Sequence, residues 1–421
     1  MTNWKNLKEL ISYANSYGIQ LEEGNTEILS KQLRVEGKVI PNRLLIQPVE
    51  GADAQKDGSP SELTKRRYLR YAKGGAGTIW IEAVALNNEL RSNDKQLVLS
   101  VETLAAFTDL VSAIKEIALT ENGYEPVVIA QLSHPGRSCI VPKPAYDNEM
   151  WELIHPSRSQ PIVTDEELER LAFLYGDVAY LAKKAGIDGV EVKACHRFFI
   201  NELLAARNRT GRYGGSYENR VRHLKESISA VREKADNTIV TVRLNHYDGI
   251  PFPNGFGMKE DMSIMPDSSE PLRLIKELYD ELGVELINCS SSSPIYELFE
   301  TIDGNDSLYS QPMNQIKSGG MMHKFAKDIK QNIPEVTVVA TMFSHLRQYA
   351  AYIGAGMIER KETDIIGFGR QALAYPNFAN DILKKGRMNE DEVCICCNGC
   401  HRLMGLGKGV GCTVRDEYYR G

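Results

Sequence analysis

The sequence predicts an α/β chain folded as a closed (β/α)8 barrel, a TIM barrel, and three observations carry that expectation. Eight short runs rich in β-branched and apolar residues recur along it, at Asn42–Pro48, Thr78–Leu86, Val127–His134, Gly189–Ala194, Thr238–Asn245, Glu285–Ser290, Val336–Met342 and Ile365–Arg370. Each is followed by a stretch with helical spacing, and apolar runs alternating with amphipathic helices belong to a parallel sheet buried on both faces. Eight such units in about 330 residues suit a closed barrel better than an open doubly wound sheet. No dinucleotide-binding fingerprint argues otherwise: Gly74-Gly-Ala-Gly77 precedes a run instead of opening a helix, so it reads as a helix-closing turn.

Taken in order, residues 1–35 read as a helical extension covering the bottom of the barrel, residues 36–388 as the barrel, and residues 389–421 as a cysteine-bearing segment. Thr164-Asp-Glu-Glu167 is a capping box, and Leu168, Leu171, Leu174, Tyr175, Val178 and Leu181 then follow along one helix face until Gly186 ends it. Pro251–Pro271 is a long loop rich in Pro, Gly and Met, and Ser290 through Gln315 is a second irregular stretch. In a barrel the loops that follow strands carry the chemistry.

With 421 residues, 42% hydrophobic and 25% charged, the chain reads as a soluble globular protein with a sizeable core. A formal net charge of −6 offers no basic field for nucleic acid or anionic lipid. The amino terminus lacks an apolar stretch of signal-peptide length, and no run of 18 apolar residues occurs, so the expectation is a cytoplasmic protein with no membrane span. Cys139, Cys195 and Cys289 sit in or next to apolar stretches and read as small core residues kept as thiols.

The other five of the eight cysteines crowd into the last 28 residues. Cys394, Cys397, Cys400 and Cys412 form C-x2-C-x2-C-x11-C, with Cys396 as a bystander. Three close thiolates and a fourth returning from a distance suit a [4Fe–4S] cluster; zinc and inert thiols are the alternatives.

The segment GVEVKACHRFFINELLAARNRTGRYGGSYENRVRH, residues 189–223, resembles the Old Yellow Enzyme family of FMN-dependent barrel reductases. Four further pieces fall in family order: Pro48-Val49-Glu50, Glu82-Ala83-Val84, Gln131-Leu-Ser-His134-Pro-Gly-Arg137, and Gly367-Phe-Gly369-Arg370 with Tyr375-Pro376. The cysteine spacing is similar to the iron–sulfur branch, which holds 2,4-dienoyl-CoA reductase, enoate reductases and trimethylamine dehydrogenase. The resemblance implies bound FMN, with Gly369 and Arg370 at its phosphate, aided by the backbone of Met342 and Phe343. It implies Gln131 and Arg243 at the pyrimidine edge, Ala83 leaving room for the ring, and Pro48, Val49 and Glu50 near the reactive edge. NADH or NADPH would be the reductant. The Tyr213-Gly-Gly-Ser216 stretch identifies the family, while its glycines and flanking Arg and Glu read as structural.

Where relatives hold the substrate carbonyl with a His-x-x-His or His-x-x-Asn pair and donate a proton from a tyrosine, this chain has Lys193, His196 and Phe198. His196 and Lys193 are the expected oxyanion partners, with an ion pair from Lys193 to Glu191 or Glu202 as the alternative. Phe198 cannot give a proton, which leaves Tyr247, Tyr296 or solvent. The chain stops nine residues after Cys412, where iron–sulfur relatives continue into FAD- and nicotinamide-binding domains. NAD(P)H would reduce the FMN directly, or a separate electron-donor protein would feed electrons through the cluster. The expected reaction is hydride transfer from flavin to an α,β-unsaturated carbonyl, a small molecule of steroid, bile-pigment or acyl-CoA size. An amine dehydrogenase and a non-enzymatic zinc-stabilised barrel are the rival readings; homo-oligomer formation is left open.

Overall fold

Eight parallel strands close into a barrel in chain order, the last pairing with the first. The computed structural model describes residues 4–154, 156–157, 159–261, 263–292 and 315–420. An antiparallel hairpin, β1 (Leu33–Val35) and β2 (Lys38–Ile40), precedes the barrel strands β3 (Leu44–Ile46), β4 (Thr78–Ala85), β5 (Val127–Ser133), β6 (Gly189–Ala194), β7 (Ile239–Asn245), β8 (Leu286–Ser290), β9 (Thr337–Ala340) and β10 (Ile365–Phe368). All eight predicted runs are strands. The first is shorter than its run because Asn42 is held in the preceding turn, its side chain donating to Gly75 O at 2.9 Å and accepting from Gly77 N at 2.9 Å. At the other end Pro48 has no N–H for the ladder. Gly74-Gly-Ala-Gly77 is the turn that ends the helix Glu62–Lys73, with Gly75 at φ +83°.

Side chains alternate across each strand, and the two faces have different company. Outward residues such as Ile46, Ile81, Val128, Val192, Val242 and Ile287 join the large core beneath the surrounding helices. Inward residues at the strand starts, among them Leu45, Trp80, Ile129, Ile239, Leu286, Val339 and Ile365, form a separate apolar plug. Val35 and Ile40 of the hairpin belong to that plug, so the hairpin closes the bottom of the barrel. The helix Leu7–Ser16 does not: its Leu10 and Ala14 join the outer core, and the chain around it meets the outer helices where Gly24 N donates to Tyr352 O at 2.9 Å.

Thr164 and Glu167 form the expected capping box on the helix Asp165–Lys184, which buries Leu168, Tyr175 and Val178. The signature after β6 is structural, as its composition implied. Arg209 bonds Asp165 at 2.7 Å, Arg207 bonds Gly255 O at 2.9 Å and Glu270 at 3.0 Å, and Arg220 also pairs with Glu270. These bonds tie the loop after β7 to the loop after β6. Cys139, Cys195 and Cys289 are buried, and burial raises their thiols to about 12, 11 and 12. No described helix is long and apolar enough to cross a membrane.

The loop after β3 is clamped from behind. A shift in register between Ile81 and Val84 turns Glu82 away from the barrel interior. There it meets Arg67, 5% exposed, at 2.6 Å, while Arg67 also holds Asp53 and Glu82 accepts from Gly51 N. Removing the guanidinium strands two buried carboxylates, so Arg67→Met is expected to cost about 3–5 kcal/mol in urea denaturation. A loss below about 1 kcal/mol would mean that the carboxylates are hydrated.

Candidate active site

Above the apolar plug the inward positions turn polar. Glu191 of β6 accepts from Gln131 of β5 at 2.6 Å and from Asn288 of β8 at 2.8 Å, and Asn288 exchanges two bonds with Gln47 at 3.0 and 3.1 Å. Burial raises the Glu191 carboxyl, opposed by neighbouring Arg243 and by the two amide donors. One step higher Lys193 and Arg243 stand abreast, their strands in register at that pair. They are 5% and 8% exposed. The Arg243 Nε is buried without a hydrogen-bond partner, and the Lys193 ammonium rests 3.6 Å from the centroid of the Phe198 ring. Burial is the main reason the ammonium is pushed down to about 8, with Arg243 adding to it and Cys195 and Glu50 opposing. The ion-pair alternative for Lys193 is not realised: Glu191 is taken by the two amides, and Glu202 by Arg137 at 2.8 Å.

The rim of the mouth comes from the first and last strands. Gln47 N donates to Phe368 O at 3.0 Å, which sets Pro48, Val49 and Glu50 beside Gly369 and Arg370. A Cβ on Gly369 would come within 3.1 Å of the Val49 side chain, so the bare backbone allows this approach. All five residues are partly exposed. Glu50 accepts from Ser92 Oγ and Asn93 Nδ2, both at 2.7 Å. Met342 sits at φ +67°, which turns the chain at the end of β9. The Phe343 ring is packed on His323 at 4.4 Å, so only its backbone is free to serve a ligand. Ala83 is buried on β4, its carbonyl accepting from Gln96 at 3.1 Å.

His196 and Arg197 both take left-handed backbone, at φ +63° and +61°. His196 Nε2 lies 3.0 Å from Ser290 Oγ, and burial, with the charges of Arg243 and Lys193, holds the imidazole neutral. The Tyr247 hydroxyl donates to Ile264 O at 2.7 Å, and its proton is held up to about 12 by burial. Tyr296 lies outside the described residues.

Cys394, Cys396, Cys397, Cys400 and Cys412 line one cavity with Arg370. Among the described residues no three His, Cys, Asp or Glu side chains converge on a single ion-sized point. Arg370 donates to Asn398 at 2.8 Å, so the structure brings it to the cysteines as well as to the rim. Asp416, 3% exposed, pins the segment to the helix Glu62–Lys73 through Arg66 at 2.7 Å and through Arg70.

Gln47, Asn288 and Ser290 were assigned no role from sequence, and Glu191 appeared only as an alternative ion-pair partner of Lys193. Their signal was available: each is a polar residue inside an apolar run, two or four positions from a neighbour on the inward face.

Residues 29–390 match the model of the "NADH:flavin oxidoreductase / NADH oxidase family". The chain belongs to that family. Among curated relatives, an NADH oxidase of Thermoanaerobacter brockii is 26% identical over 386 residues, 87% of this chain and 52% of the relative. An NADPH dehydrogenase of Bacillus velezensis is 25% identical over 359 residues, 83% of this chain and 93% of the relative. Among solved structures, a 2-naphthoyl-CoA reductase in complex with 2-naphthoyl-CoA superposes with a TM-score of 0.74 at 20% identity, covering 92% of this chain and 57% of that one. This member of the family thus spans about half the length of two of these proteins and nearly all of the third.

Proposed function

We propose that this chain is an FMN-dependent reductase of activated carbon–carbon double bonds, driven by NADH or NADPH. The observation that carries the reading is the pair Lys193 and Arg243, two buried cations abreast at the mouth of the barrel. Buried charge needs a partner, and Glu191 and Glu50 lie near these cations without a direct ion pair, which suits an anionic cofactor edge and a substrate oxyanion. FMN, bound there and reduced, supplies the hydride. Arg243 and Gln131 would hold its pyrimidine edge, and Gly369, Arg370 and the backbone of Met342 and Phe343 its phosphate. Pro48, Val49, Glu50 and Ala83 would bound the ring.

The residues of the chain then do the rest. Lys193 donates to the carbonyl oxygen of an α,β-unsaturated substrate and stabilises negative charge as it develops there. His196, neutral and tied to Ser290, adds a second donor. The Tyr247 proton is committed to Ile264 O, so Tyr296 or solvent is the better source of the proton for the α-carbon. Cys394, Cys397, Cys400 and Cys412 would hold a [4Fe–4S] cluster: the donor set is all thiol, and the four line one cavity. Such a cluster would serve as a relay from a separate electron-donor protein.

The test is anaerobic purification followed by reduction with NADPH or NADH and addition of cyclohexenone. The flavin is expected to bleach and then to be reoxidised by the enone, with iron and acid-labile sulfide present. A flavin reduced by amines and indifferent to enones would make the protein an amine dehydrogenase. A colourless protein holding zinc would make it a scaffold.

A further inference from the structure

The cysteine segment offers five thiols where a [4Fe–4S] cluster takes four, and the fifth is not the bystander that its place between two spaced ligands implied. Cys396 lines the same cavity as the other four. It is as buried as Cys394, both being 8% exposed, whereas Cys397, Cys400 and Cys412 are partly open to solvent. Cys394 and Cys396 pack together against Ala374, with Cys412 alongside. The Cys396 backbone N–H donates to the Cys394 sulfur at 3.3 Å. What folds the chain back is the left-handed backbone of Cys396, φ +54°, a conformation that a non-glycine residue rarely adopts. Asn398, at φ +57°, repeats it two residues later and directs Cys400 into the same cavity.

We infer that Cys394 and Cys396 are interchangeable ligands to one corner of the cluster. This rests on the iron–sulfur reading proposed above. Whichever of the two is not bonded to iron remains a thiol and donates its S–H to the bound sulfur of the other. Exchange breaks one Fe–S bond and makes another, the proton of the incoming thiol passing to the departing thiolate, with no electron transferred. Cys397, Cys400 and Cys412 serve the other three corners.

The test uses the full chain purified anaerobically. Iron, acid-labile sulfide and the EPR spectrum of the dithionite-reduced protein are measured for Cys394→Ala, Cys396→Ala, the double variant and Cys400→Ala. Each single variant at the shared corner is expected to keep nearly the iron content of the unaltered protein, while the double variant and Cys400→Ala lose about tenfold or more. FMN content serves as the folding control. If Cys394→Ala loses its cluster as completely as Cys400→Ala while keeping FMN, the inference is wrong; a double variant that keeps its cluster overturns it equally. Should Cys394→Ala fail to fold, the Cys396→Ala spectrum decides alone. Two overlapping EPR species in the unaltered protein must collapse to one, and an unchanged spectrum overturns the inference. Absence of iron from the unaltered protein is a different outcome, which refutes the iron–sulfur reading itself.

Discussion

Arg243→Met is expected to yield a folded barrel that binds FMN about 10- to 150-fold more weakly, the span of a lost hydrogen bond to a charged group. The Arg243 Nε is buried without a partner in the protein, so its interaction energy is reserved for a ligand. Methionine fills similar space without the charge. Fluorescence titration of the flavin-free protein with FMN reads the change directly. The stability of the flavin-free variant is the control, because Arg243 also lies beside the buried Glu191 carboxyl and favours its charged form. A variant that lost both flavin affinity and apoprotein stability would show Arg243 to be a structural residue.

Lys193→Met is expected to lower kcat for enone reduction by about 100- to 1,000-fold with little change in flavin content, as removal of one oxyanion donor does elsewhere. The pH profile distinguishes charge from packing. Burial pushes the Lys193 ammonium down to about 8, so it is charged below that pH and neutral above it. A rate that depends on the charge therefore falls as pH rises through about 8. In the methionine variant that limb disappears, and in Lys193→Arg, whose guanidinium stays charged, the fall is displaced to higher pH. A Lys193→Met enzyme at full kcat would transfer the oxyanion role to His196.

Much of the barrel was readable because its strands are buried on both faces, so each appears as an apolar run bounded by turns. The bottom was misassigned to a helix because Leu33–Val35 and Lys38–Ile40 are only three residues each, too short for a periodicity to register. At the site, family motifs pointed to Gln131, Arg243, Lys193 and His196, and the structure sets Gln131 on Glu191 in one inward layer with Arg243 and Lys193 in the next. The bond between Glu191 and Asn288 escaped notice because both are single polar residues in otherwise apolar runs, where only the alternation of faces gives them meaning. Tyr247 was a candidate proton donor by position alone; its bond to Ile264 depends on a loop path that no local pattern encodes.

Closure of the barrel rests on β10 pairing with β3, where Ile366, Gly367 and Phe368 meet Leu44, Leu45 and Ile46. A growing chain emerges from the ribosome with the β3 edge unpaired until its mate has been synthesised more than three hundred residues later. Over that interval the nascent sheet is an open template for aggregation, and a chaperone that shields the Leu44–Ile46 edge would protect it. Because Val49 and Gly369 become neighbours only when this seam shuts, flavin bound at the proposed site would report a sealed barrel.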